Sequence, residues 1–219
     1  MNLDYESIAN CSLFTGIEKG NIKAMLKCIG AYEKNYKKGE FLSVQEDFLT
    51  SVGIVLSGTV DMLKEDAWGN STVVTRMKTG HILGETFACG SDTSTSVSFQ
   101  AVANTKMVYL PFDKVMHVCS NSCEFHQRLI RNMVTAIANK NRALMEKIDV
   151  IAKRTLREKI MEYLSLQSEK QGSDYFEIPL GRTELANYLV ADRSAVSREL
   201  SAMKAEGIID FDKKMFRFL

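Results

Sequence analysis

Between Asp192 and Glu199 the chain reads Asp-Arg-Ser-Ala-Val-Ser-Arg-Glu, which sets Arg193, Ser194, Ser197 and Arg198 within two turns of one helix. Arginine can grip guanine O6 and N7 with two parallel bonds, and serine can reach a base edge or a phosphate. Four such donors near a helix start are what a helix lying in a DNA major groove needs. The chemistry implied is hydrogen bonding to nucleic acid rather than bond breaking. Surface arginine and serine are common, however, so the pattern gains weight only from the elements around it.

Those elements are legible. Arg182 to Gly207 parses as helix, tight turn, helix: Leu185, Ala186 and Leu189 give the inner face of the first helix, and Val196, Leu200 and Met203 that of the second. Asp192 is placed to cap the second helix and Gly207 to end it. Ile208-Ile-Asp-Phe211 and Met215-Phe-Arg-Phe218 flank Asp212-Lys213-Lys214, which reads as a two-stranded wing with a basic turn. Arg182, at the start of the first helix, and Lys213 and Lys214, on the wing, join the candidate DNA contacts. Phe176 to Pro179 makes at most a short extended piece, since proline cannot donate to a ladder.

Upstream, the 3.5-residue spacing of Ile130, Val134, Ile137, Asn141, Leu144, Ile148 and Ile151 predicts one helix from Glu124 to about Ile151. A seam this long reads as the interface of a parallel homodimer, with Asn141 fixing register. A core helix with one exposed asparagine is the plainer alternative. Thr155 to Leu166 predicts a further amphipathic helix, and the polar Gln167 to Asp174 a loop.

The N-terminal half has a different period. After a short helix over Ile17 to Ile29, the segments 41–44, 52–56, 59–63, 72–77, 97–102 and 107–110 are short, β-branched or aromatic, and separated by turn residues. Ser57-Gly58 and Trp68-Gly69-Asn70 read as hairpin turns. The fold class expected is α+β: an antiparallel β-roll of jelly-roll type over 1–123, a dimerisation helix over 124–152 and a winged helix-turn-helix over 153–219.

Composition agrees with this and excludes alternatives. The 219 residues suit two modest domains, and 45% hydrophobic with 25% charged residues is the make-up of an ordered globular chain. No stretch resembles a signal peptide or a membrane span, and five scattered cysteines suit reduced thiols, so a cytoplasmic protein with no membrane partner is expected. Net charge is only +1, and from Lys153 onward 12 Lys and Arg face 11 Asp and Glu, so DNA binding must rest on where a few cations stand.

The chain resembles the Crp/Fnr regulator family over nearly its whole length. Gly39-Glu40, Val55-Leu-Ser-Gly-Thr-Val60 and Gly80-His-Ile-Leu-Gly-Glu85 are similar to that family's roll signatures, and Asp192 to Glu199 to its recognition helix. The resemblance implies a homodimer on a two-fold symmetric double-stranded DNA site. It implies control by a small-molecule effector of unknown identity sensed in the roll, and RNA polymerase as a further partner if transcription is activated. It also places Ser194, Ser197 and Arg198 at base-reading positions, and Arg193 beside them.

The sensor half departs from the pattern. In the family's cyclic-nucleotide binders a Gly-Glu pair is followed by an arginine that grips the cyclic phosphate. Here Gly84-Glu85 is followed by Ser91-Asp-Thr-Ser-Thr-Ser96 with no cation, so Gly84, Glu85, Thr95 and Ser96 are the candidate effector contacts and cyclic AMP is a poor match. Cys11 and Cys28 cannot supply the four thiolates of an iron-sulfur cluster. His117, Cys119, Cys123 and His126 form a local cluster that would suit a redox or metal sensor of the same fold. Buried structural cysteines explain it more simply, and no metal site is assigned.

An enzyme is not expected, since His81, His117 and His126 do not make a facial-triad pattern for a catalytic barrel. The remaining rival is an effector-binding module acting through protein contacts without DNA.

Overall fold

The computed structural model describes residues 5–117 and 124–219, and it divides between Ala138 and Asn139 into two units, Met1–Ala138 and Asn139–Leu219. The division falls inside one continuous helix.

The first unit opens with α1 (Tyr5–Ala9), a short 3-10 turn and α2 (Lys19–Cys28), then runs through β1 (Tyr32–Tyr36), β2 (Phe41–Ser43), β3 (Ser51–Ser57), β4 (Thr59–Glu65), β5 (Ser71–Lys78), β6 (Ile82–Leu83), α3 (Glu85–Ala88), β7 (Ser98–Ala101), β8 (Thr105–Pro111) and α4 (Phe112–Met116). The strands form two antiparallel sheets, ordered β1-β8-β3-β6 and β2-β7-β4-β5. Val55, Met107 and Tyr109 from the first and Val60, Phe99 and Ala101 from the second fill the space between them. Val52, Ile54, Leu56, Val108 and Leu110 point the other way, into a cluster with α2 and with Leu129 and Met133 of α5 (Glu124–Ile151). Because both faces of β3 are covered, Val52 to Leu56 reads as an unbroken apolar run instead of alternating.

One turn expectation changes, and strands appear that the segment pattern does not mark. Ser57-Gly58 is not a hairpin turn: β3 pairs with β6 and β8 whereas β4 pairs with β5 and β7, so this dipeptide is the corner where the chain crosses between sheets. Gly58 has φ +91°, and a Cβ there would stand 2.5 Å from the Asn104 carbonyl oxygen, so only glycine fits the corner. The second turn is a hairpin as expected, with the Asp66 carboxylate accepting from the backbone N–H groups of Trp68 and Asn70. The strand β1 was not foreseen, because its charged Tyr-Glu-Lys-Asn-Tyr sequence belongs to an edge.

The second unit contains the end of α5, α6 (Leu156–Gln171), β9 (Tyr175–Glu177), α7 (Arg182–Leu189), α8 (Arg193–Ala205), β10 (Ile209–Asp212) and β11 (Met215–Phe218), with sheet order β10-β11-β9. Thr155 caps α6 reciprocally with Glu158. The expected loop from Gln167 is helical as far as Gln171 and ends at Gly172, φ +61°. Its residues are polar but good helix formers, and Lys170 pairs with Glu146 of α5. Val150, Ile160, Leu164, Phe176, Leu185, Val196, Leu200 and Phe216 are among the residues of this unit's core.

Candidate nucleic-acid interface

The helix α7 starts at Gly181, whose N–H donates to the Glu184 carboxylate at 2.8 Å, and stops at Val190, a β-branched residue in the left-handed region at φ +53°. That conformation costs of order 1–3 kcal/mol, which the surrounding structure must offset. It redirects the chain within three residues, so α8 starts at Arg193.

The ends of α8 are formed differently from one another. Asp192 has the extended backbone of an N-cap, and its carbonyl accepts from the Val196 N–H at 3.0 Å, but its side chain makes no capping bond, contrary to expectation. At the other end Gly207 takes φ +73°, Ile208 N–H donates to Met203 and Gly207 N–H to Lys204, the paired closure that sequence predicted. Val196, Leu200 and Met203 are fully buried, whereas Arg193, Ser194, Ser197 and Arg198 are all exposed. Among the described residues the side chain of neither Arg193 nor Arg198 makes a hydrogen bond or ion pair. The helix thus presents uncommitted donors along one side, at the end where its dipole favours anions.

The other predicted contacts are more occupied. The guanidinium of Arg182 stacks 4.8 Å from the Phe211 ring centroid and 5.3 Å from that of Phe216, and burial pulls its pKa down. It ties α7 to the wing. At the wing turn Lys213 is exposed with φ +54°, and Lys214 Nζ donates to the Pro179 carbonyl at 2.6 Å. Sequence reasoning passed over Arg157 on α6, whose fork meets Glu199 and Glu206 of the α8 region across 42 and 49 residues. A half-exposed arginine on a mostly polar helix gives no signal of partners so distant.

In the roll, Gly84 takes φ +78° and starts α3, and Glu85 is 5% exposed with its carboxylate accepting from Thr86 Oγ1 at 3.3 Å. Thr95 is buried, and its hydroxyl both donates to the Val97 carbonyl at 2.8 Å and accepts from the Val97 N–H. Ser96 is exposed. Its carbonyl accepts from Lys64 Nζ at 2.6 Å, so β4 brings to this segment a cation that the local sequence lacks.

The seam of α5 is largely uncovered in the single chain. Ile130 is half-buried against the first unit's core, Ile137 sits at 37% exposure, Asn141 is exposed, and Val134, Leu144 and Ile148 are 62, 60 and 58% exposed. Met145, which the heptad spacing did not include, adds to the stripe at 59%. Of the Cys/His cluster, Cys119 and Cys123 lie outside the described residues. His117 shares a ring-nitrogen hydrogen bond with the Asp113 carbonyl, and His126 is buried with neither ring nitrogen partnered among the described residues. Among those residues no group of three His, Cys, Asp or Glu could hold a metal, and no helix is long and apolar enough to cross a membrane.

A β-roll unit, a helix with an apolar stripe, and a winged helix-turn-helix with free donors on its second helix define a class of DNA-binding regulators with a sensor attached. Comparison with known proteins agrees: residues 33–122 match the model of the cyclic nucleotide-binding domain and residues 158–219 that of the Crp-like helix-turn-helix domain. The chain is 26% identical over 189 residues to the transcriptional activator protein Anr of Pseudomonas aeruginosa, covering 84% of this chain and 75% of that one. Among solved structures it shares its fold with the catabolite activator protein of Thermus thermophilus, at 20% identity, 95% and 93% coverage and a TM-score of 0.52. It also shares it with the c-di-GMP-responsive global regulator CLP of Xanthomonas campestris, at 15% identity, 92% and 99% coverage and a TM-score of 0.57. The chain belongs to the Crp/Fnr family of transcription regulators.

Proposed function

We propose that the protein is a homodimeric, sequence-specific DNA-binding regulator that lays α8 in the major groove of each half of a two-fold symmetric site. The observation that carries this reading is the outer face of α8, where Arg193, Ser194, Ser197 and Arg198 are exposed while the opposite face is buried. Arg198 and the two serines read base edges, Arg193 contacts the adjacent backbone, and Lys213 and Lys214 on the wing turn touch phosphate. Lys214 exchanges its Pro179 carbonyl for the phosphate, at little cost for an exposed lysine.

Dimerisation runs through the α5 stripe of Ile130, Val134, Ile137, Asn141, Leu144 and Ile148. An exposed band of this kind favours burial against a second copy, since exposed apolar residues gain roughly 25 cal/mol per Å² removed from water. The signal enters through the roll around Gly84, Glu85, Thr95 and Ser96 in a cytoplasmic protein. RNA polymerase is the further partner if the output is activation; the Pseudomonas relative is a transcriptional activator protein.

The test is equilibrium binding to a selected duplex across a salt series. A regulator neutralising several phosphates gives log K falling linearly with log salt, at about 0.9 per phosphate contacted. A module working only through protein contacts gives no DNA complex at any salt.

A further inference from the structure

The guanidinium of Arg157 on α6 makes three bonds to acidic side chains of the α8 region. Its Nε donates to Glu199 Oε1 at 2.5 Å, Nη1 to Glu206 Oε2 at 2.6 Å and Nη2 to Glu206 Oε1 at 2.8 Å. Both nitrogen edges of the fork are used, and the Glu206 pair is bidentate, the geometry in which arginine gives direction as well as charge. Glu199 and Glu206 are seven residues apart, so the fork holds α8 at two heights roughly 10 Å apart along its axis.

The apolar contacts of α8 cannot give the same control. Val196, Leu200 and Met203 form one narrow stripe, and non-directional packing tolerates small rotations about it. At the ~6 Å radius of helix side chains, turning the helix by about 20° moves an outer group by about 2 Å. That exceeds the ~0.5 Å within which a binding constellation must be held. Glu199 adjoins Arg198, so the group that fixes the helix's rotation is one residue from the proposed base reader. The same bonds occupy two carboxylates that would otherwise add negative charge beside the DNA. They hold Glu206 below the usual carboxylate range and push the Arg157 guanidinium up.

We propose that Arg157 is the positioning residue of the recognition helix: clamping Glu199 and Glu206, it sets the rotation and axial placement of α8 and so governs base specificity without touching DNA. This rests on the reading of α8 as the DNA-reading helix. A positioning role predicts unequal losses. Arg157→Gln should weaken binding about tenfold on the duplex that wild type selects, and less than about twofold on a random duplex at the same salt. Arg157→Lys restores the charge but cannot span both carboxylates, so it should recover only a minor part of the preference. Glu199→Gln, which removes one bond and leaves the Glu206 fork, should give a smaller loss of the same kind, and adding it to Arg157→Gln should cost less than the sum of the two.

The experiment is fluorescence anisotropy of the full-length variants on both duplexes, with circular dichroism melts alongside. Equal losses on the two duplexes, full recovery with lysine, or unchanged preference in Arg157→Gln overturns the proposal. Should Arg157→Gln fail to fold, Glu199→Gln decides alone, and unaltered preference in it overturns the proposal. A wild type that selects no motif overturns the regulator reading together with this inference. A wild type that selects one while Arg157→Gln keeps it overturns the inference only.

Discussion

The outer face of α8 and the roll segment from Gly84 to Ser96 are both rich in polar side chains, and they use them in opposite ways. On α8, Arg193 and Arg198 stand exposed without partners among the described residues. In the roll, the Thr95 hydroxyl is consumed by both backbone groups of Val97, the Glu85 carboxylate is buried, and the Ser96 carbonyl holds Lys64. One region offers its hydrogen bonds to something else; the other closes on itself. A buried polar group is worth most to a fold when satisfied internally, and an exposed one is worth most to a partner when left free. The difference fits the proposed role of α8 as a surface offered to an external acceptor, and under the same proposal the roll segment has to exchange internal bonds for any it makes to a ligand.

The largest effect should come from the apolar stripe of α5. Replacing Ile137 and Leu144 together by glutamate should give monomers by analytical ultracentrifugation and abolish tight operator binding, since an unpaired carboxylate in an apolar interface costs several kcal/mol. A persistent dimer would place the interface elsewhere.

Next is the closed side of the comparison. Thr95→Val removes a hydroxyl that serves two buried backbone groups and should destabilise the roll by about 1–3 kcal/mol, with DNA preference unaltered in the folded protein. Unchanged melting would mean the hydroxyl is not committed internally and the contrast with α8 is weaker than described.

The smallest effect is in acid. Burial depresses the pKa of His126 below its ordinary value near 6.5, so the unfolded chain binds more protons in that window. The roll's contribution from neutral His126 is fully present above about pH 6.5 and is lost as pH falls from there through the depressed folded value. The carboxyls of Glu158, Glu206 and Asp210 in the second unit are held below their ordinary values of 4.5, 4.5 and 3.8, so their contribution is lost only in stronger acid. Calorimetry between pH 5 and 7, an interval bracketing the ordinary histidine value of about 6.5, should show the roll transition falling while that of the second unit holds. His126→Leu should flatten the dependence.

What the sequence revealed and concealed follows the range of the interactions. The span of helix α5, the Gly207 closure of α8 and the buried Val196, Leu200 and Met203 are local or periodic features, and each is where spacing placed it. The Ser57-Gly58 corner departs from the expected hairpin because positive φ at glycine serves a sheet-to-sheet crossing as well as a hairpin. The strand β1 is hidden by edge polarity, and the end of α6 by residues whose helical support comes from Glu146 on α5. Arg157, Lys64 and the seating of Arg182 on Phe211 and Phe216 depend on partners between 29 and 49 residues away, beyond any local pattern.

The central claim is that α8 reads DNA sequence through Arg198. It is tested most directly by selecting duplexes from a randomised pool with wild type and with Arg198→Ala in parallel. Wild type should recover a symmetric motif with half-site centres about 10 base pairs apart, and Arg198→Ala should lose the preference at one guanine position per half-site at a cost of about 1–3 kcal/mol. Recovery of the same motif with the same guanine preference by both proteins would contradict it.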